Sequence, residues 1–129
     1  MPKALLTLTL LPDQFAICRL SPSASIPAWA LKGTFFSITK ASDELSIVCA
    51  ANHVPDDVKC ERGWRALKFE GPLDIELTGV IASVAEPLAN AGVPIFPLAT
   101  AATDYVFIQD EQLEAASRAL TAVGHAVRE

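Results

Sequence analysis

The sequence predicts an α+β fold of two ferredoxin-like subdomains, each an antiparallel sheet with helices on one face. Three observations predict it. Short apolar runs alternate with polar residues at the strand period of two, while two later segments carry apolar stripes at helical spacing. From Leu73 onward the elements run strand, helix, strand, strand, helix, strand, and the first half repeats that order with a stunted first helix and a loop for the second. A turn of matching layout recurs between the second and third strands of each half: Thr39-Lys40-Ala41-Ser42-Asp43, then Thr100-Ala101-Ala102-Thr103-Asp104. The halves divide as 1–63 and 64–129.

Taken in order, Leu5–Leu11 and Phe15–Leu20 read as strands around the turn Pro12-Asp13-Gln14. Ser21–Ser25 leads into a short helical piece, Ile26–Leu31, closed by Gly33. Thr34–Thr39 and Glu44–Ala50 are strands, Asn52–Gly63 is a polar loop, and Trp64–Phe69 is a further strand. Leu73–Thr78 alternates, with Leu73, Ile75 and Leu77 opposite Asp74 and Glu76. Ile81, Val84, Ala85, Leu88 and Ala89 then form a helical stripe. Ser83 with Glu86 has the spacing of a capping box, which puts Pro87 within the second turn, and Gly92 is a natural stop. Val93–Leu98 and Tyr105–Gln109 make a strand pair. Asp110 can cap a last helix with Leu113, Ala116, Leu120 and Val123 inward, ended by Gly124, and His125–Arg128 supplies the closing strand.

With 129 residues, 51% of them hydrophobic, the chain has ample apolar side chain for such a core. The formal net charge is −5 and the basic residues are scattered, so no nucleic-acid surface is expected. Nor is a membrane partner, since no apolar stretch approaches the roughly 20 residues of a spanning helix. Cys18, Cys49 and Cys60 form no CxxC, and a reduced, cytoplasmic protein is the expectation.

The carboxylate of Asp104 stands at the mouth of an apolar strand. In a ferredoxin-like sheet of order 4-1-3-2, the end of strand one, the start of helix one and the turn between strands two and three share one edge. That edge gathers Thr78, Gly79, Val80 and Ile81 with Thr100, Thr103 and Asp104. Gly79 permits a tight turn or a close approach. A helix start offers free N–H groups and partial positive charge for a carboxylate, and Asp104 offers the opposite sign for an ammonium group. The pair suits an amino-acid zwitterion. Against this stands the plainer alternative that such Asp and Thr residues bond only their own turn. For Asp43, beside a poor helix, the plainer alternative is preferred.

Trp64-Arg65-Ala66-Leu67, Gly71-Pro72-Leu73-Asp74, Leu77-Thr78-Gly79-Val80-Ile81-Ala82, Thr100 and Thr103-Asp104-Tyr105-Val106, with Glu44-Leu45-Ser46-Ile47-Val48 earlier, resemble the CASTOR-type ACT proteins. These are small bacterial tandem-ACT chains similar to each half of the animal cytosolic arginine sensors. The resemblance implies two ACT-like subdomains, a homodimer, and an amino acid held at an interface of the second subdomains. Its ligand positions match Gly79, Val80, Ile81, Thr100 and Asp104. Where family members read much like Ser-Thr-Tyr-Asp-Thr-Asp, this chain has Ala99-Thr100-Ala101-Ala102-Thr103-Asp104, without the aromatic wall and one acidic group. An amino-acid ligand is therefore implied without arginine being singled out.

No catalytic constellation emerges. His53 lies in the polar loop and His125 before the last strand, neither beside a recognisable nucleophile. His53 with Asp56 and Asp57 is better read as solvated surface than as a metal site, and no glycine-rich phosphate loop occurs. The sequence thus predicts a non-catalytic regulatory module that binds a small amino acid or related metabolite and needs no cofactor. The alternative is a structural assembly (dimerisation) module with no ligand.

Overall fold

The computed structural model describes residues 5–70 and 79–129. Their order is β1 (Thr7–Leu10), β2 (Phe15–Leu20), β3 (Phe36–Lys40), β4 (Leu45–Ala50), β5 (Cys60–Phe69), α1 (Val80–Asn90), β6 (Phe96–Ala99), β7 (Asp104–Gln109), α2 (Leu113–Ala122) and β8 (Ala126–Arg128). The strand expected at Leu73–Thr78 lies outside the described residues. The fold is mixed α+β. Residues cluster into two units, one of Asp13–Trp64 and one of Arg65–Glu129 together with the N-terminal residues up to Pro12.

In the first unit the strands lie in the order β3-β4-β2-β5, all antiparallel. Numbered within the unit, that is 2-3-1-4, the expected 4-1-3-2 read backwards. The helical positions hold only 3₁₀ turns, at Ala28–Leu31 and Ala51–His53. Leu45, Ile47 and Cys49 alternate along β4 and meet Ala16 and Cys18 of β2, with Ala30 and Val54 from the turns closing a small core. The expected loop is shorter than its polarity suggested, because Cys60–Gly63 is already strand, and Arg62 reaches back to the carbonyls of Ala51, Val54 and Pro55.

In the second unit the order is β8-β1-β5-β7-β6. Here the structure departs from the expected halves. β1 pairs antiparallel with β5 (Leu8 opposite Phe69) and parallel with β8 (Leu8 opposite Val127), so the N-terminal strand is filed between the first and last strands of the C-terminal unit. Its alternation was readable, its partners were not, since pairing between sequence-distant strands leaves no local pattern. Pro97 sits on the edge strand β6, the place where a missing N–H is tolerated.

Both helices cover one face of this sheet: Val84 and Leu88 from α1 and Ala116 and Leu120 from α2 bury with Leu8, Leu67, Phe69, Val106 and Ile108. The inward stripe of α1 is Val80, Val84 and Leu88, whereas Ile81, expected inside, is 39% exposed. Val123 is likewise exposed, because α2 has ended by then. Both helices close alike. Gly92 and Gly124 take φ of 74° and 101°. The following N–H groups of Val93 and His125 return to the carbonyls of Leu88 and Leu120, a left-handed glycine cap. Asp110 does not cap α2; it opens a 3₁₀ turn and pairs with Arg65 at 3.1 Å.

Candidate functional site

The start of α1 differs from the capping-box expectation. The N-cap is Gly79, at φ 76° and ψ 0°, with no side-chain cap, and the ladder begins with Ser83 N–H on the Gly79 carbonyl at 3.0 Å. Ser83 lies inside the first turn and spends its hydroxyl on the Val80 carbonyl at 2.6 Å. A helix entered through a left-handed glycine needs no serine cap, which is why the sequence signal misled. The N–H groups of Val80, Ile81 and Ala82 precede the ladder and receive no side-chain cap from Gly79. A Cβ placed on Gly79 would meet none of the described residues within 4 Å, so among them the corner is open. No acidic side chain occupies the first turn, which leaves the dipole's positive end uncompensated from within the helix.

The turn between β6 and β7 is closed on itself. Thr100 donates its N–H to the Thr103 carbonyl at 2.9 Å and its hydroxyl to the same oxygen at 3.1 Å. Its Oγ1 accepts from the N–H groups of Ala102 and Thr103. Thr103 is 5% exposed, and its hydroxyl donates to the Phe69 carbonyl at 2.7 Å. Both hydroxyls are thus engaged, that of Thr100 within its own turn, as the plainer alternative held, and that of Thr103 on β5 instead. Asp104 is half-buried at the first position of β7, opposite Ala99. Its carboxylate makes no hydrogen bond or ion pair among the described residues.

A chain of bonds places these pieces on one sheet edge. Thr103 is tied to Phe69, the last residue of β5. Glu70 N–H donates to the Thr7 carbonyl at 2.9 Å, and Ala126 N–H to the Leu6 carbonyl at 2.9 Å. His125, just before β8, reaches the Ser83 carbonyl in the first turn of α1 at 2.8 Å. The start of α1, the end of β5 and the start of β7 therefore lie toward one edge of the sheet, while the strand end at Thr78 that was expected there lies outside the described residues. Of the expected ligand residues, Thr78 lies outside the described residues and Val80 turns its side chain into the core. Among the described residues, no side chain or backbone group occupies Gly79, the N–H of Ile81 or the carboxylate of Asp104. Sequence reasoning missed His125, whose signal was a proline four residues after Ser83 and a histidine just after a helix-stopping glycine.

The reactive inventory is thin. Burial, with Cys60 and Cys49 nearby, pushes the Cys18 thiol up to about 12. Burial raises that of Cys49 as well. Neither is a ready nucleophile. Among the described residues no three potential metal ligands come together, and no helix is long and apolar enough to cross a membrane.

Residues 59–122 match the ACT domain family, and residues 13–57 match a second family described as an N-terminal domain. The crystal structure of protein Atu0741 from Agobacterium tumefaciens is 40% identical, covers 96% of this chain and 92% of its own, and superposes with a TM-score of 0.91. The chain therefore carries an ACT domain over residues 59–122. It shares a family with Atu0741. Two further likenesses concern the fold alone. A Vibrio cholerae protein of unknown function, VC0802, described as a possible transport protein, is 18% identical over 92% of this chain and 89% of its own, with a TM-score of 0.74. The regulatory subunit of aspartate kinase from Thermus flavus is 15% identical over 94% and 99%, with a TM-score of 0.61. No curated protein matches the sequence.

Proposed function

We propose that this ACT-domain protein is a non-catalytic regulatory module that binds a small amino acid or related metabolite at the α1 rim. The observation that supports the proposal is an uncapped helix start at a glycine corner that is open among the described residues, together with an Asp104 carboxylate unpartnered among them. The N–H groups of Val80 to Ala82 would take the ligand's carboxylate and Asp104 its ammonium group. The fold shared with aspartate kinase regulatory subunits supports a regulatory role, and aspartokinase III of E. coli is known in complex with aspartate and ADP. We read the two units as tandem ACT-like subdomains of CASTOR type, in a cytoplasmic homodimer that brings two such rims together.

A second reading, an assembly module without ligand, is favoured by one observation: Thr100 and Thr103 are spent inside their own turn and on Phe69. A thermal-shift screen of the twenty amino acids separates the two. Under the binding reading at least one raises the melting temperature, and Asp104→Ala abolishes the rise while the protein stays folded. No rise with any of them at millimolar concentration would leave the assembly module.

A further inference from the structure

Pro87 is the eighth residue of α1, well inside the helix. It has no N–H, so the carbonyl four residues earlier, that of Ser83, loses its intrahelical donor. That carbonyl is not left bare. Nε2 of His125 lies 2.8 Å from it, and the other ring nitrogen, Nδ1, accepts the backbone N–H of Leu6 at 3.0 Å. An imidazole that accepts at Nδ1 and faces a carbonyl at Nε2 has one consistent protonation state, neutral with its hydrogen on Nε2. The ring is 4% exposed, so both bonds are made where water is nearly absent. Its backbone is fixed as firmly: His125 N–H returns to Leu120 and Gly124 precedes it at φ 101°. A Cβ on Gly124 would come within 3.0 Å of Leu5 Cδ2, so the N-terminal segment packs directly on this corner.

We infer that His125 is the positioning residue of the α1 rim. It is a neutral imidazole that supplies the hydrogen bond Pro87 cannot, and it ties the first turn of α1 to the entrance of β1. The helix start is then held by the sheet edge as well as by its own ladder. The N–H groups of Val80 to Ala82 keep a fixed direction although no side chain caps them. The same link joins the rim to the N-terminal strand, which gives a change at the helix start a route through two hydrogen bonds to the entrance of β1. The role at the rim rests on the binding reading given above; the histidine's tautomer and its coupling to Pro87 do not.

The test uses the full chain. His53 and His125 are its only histidines, so nitrogen-15 labelling of the imidazoles gives two resolvable ring systems. For His125 the expected spectrum shows a protonated Nε2 and a bare Nδ1; the opposite tautomer, or a mixture, would overturn the inference. A double-mutant cycle gives the second readout. His125→Phe should lower the melting temperature by about 4 °C or more. Pro87→Ala restores a donor to the Ser83 carbonyl, so in that background the loss from His125→Phe should shrink. Equal losses in both backgrounds would overturn the inference. If His125→Phe fails to fold, the tautomer spectrum of the unaltered chain still decides. Absence of any amino-acid response, with tautomer and coupling as stated, would refute the binding reading and with it the role at the rim, and leave only the hydrogen-bonded link of His125 to the Ser83 carbonyl and Leu6 standing.

Discussion

Thr103 offers the sharpest separation of structural from ligand-binding roles at the rim. Replacing it with valine keeps the shape and the β-branch and removes only the hydroxyl. In the structure that hydroxyl is 2.7 Å from the Phe69 carbonyl in a position 5% exposed. The change deletes one buried hydrogen bond and strands an acceptor, which costs about 2 kcal/mol. For a chain of 129 residues the unfolding entropy near the midpoint is about 0.27 kcal/mol per kelvin, so the melting temperature should fall by roughly 7 °C. Circular-dichroism melts measure this directly, and Thr103→Ser, which keeps the hydroxyl, should recover most of the loss. A Thr103→Val protein as stable as its parent, within about 0.5 kcal/mol, would refute the claim that this side chain pins the turn to β5.

Three further outcomes follow from the same geometry. Gly79→Ala should cost about 1–2 kcal/mol through its positive φ, since none of the described residues obstructs the added methyl; chemical denaturation would measure it, and a neutral effect would deny the left-handed helix entry. Leu88→Ala, at a fully buried site against β5 and β7, should cost about 2–5 kcal/mol, seen as a lower urea midpoint with unchanged slope. Cys18 has its folded value raised from 9.0 to about 12, so above pH 9 the unfolded thiol ionises while the folded one does not. Its contribution to stability is present below that pH and declines as pH rises toward 12. Urea midpoints at pH 8 and 10 should therefore fall less in Cys18→Ala than in the parent; parallel declines would contradict the burial of that thiol.

How much of this was legible in the sequence varies by kind of signal. Period and punctuation located β2, β3, β4, β7 and α2 within a residue or two, because alternation and glycine stops are local. The same local signals failed at the start of α1, where Ser83-x-x-Glu86 imitates a cap and the chain turns instead through Gly79. They could not place β1, whose seat between β5 and β8 is fixed by residues more than fifty positions away. At the rim, the expectation that Gly79 and Asp104 face one another came from topology alone. The commitment of Thr103 to Phe69 needed coordinates, since a threonine in a turn gives no sign of which carbonyl it will meet. The link through His125 was invisible for the same reason.

The account stands or falls on an amino acid lodging between the first turn of α1 and Asp104. The most direct measurement is a titration of the nitrogen-15-labelled protein with each of the twenty amino acids, following the backbone amides of Val80, Ile81 and Ala82. For at least one amino acid those amides should shift in a saturable way, and in Asp104→Asn the midpoint should move by roughly tenfold or more, the loss of a charge-assisted pair. If the three amides stay still at millimolar concentrations of every amino acid, or respond identically in Asp104→Asn, the rim is a structural corner and the binding account is wrong.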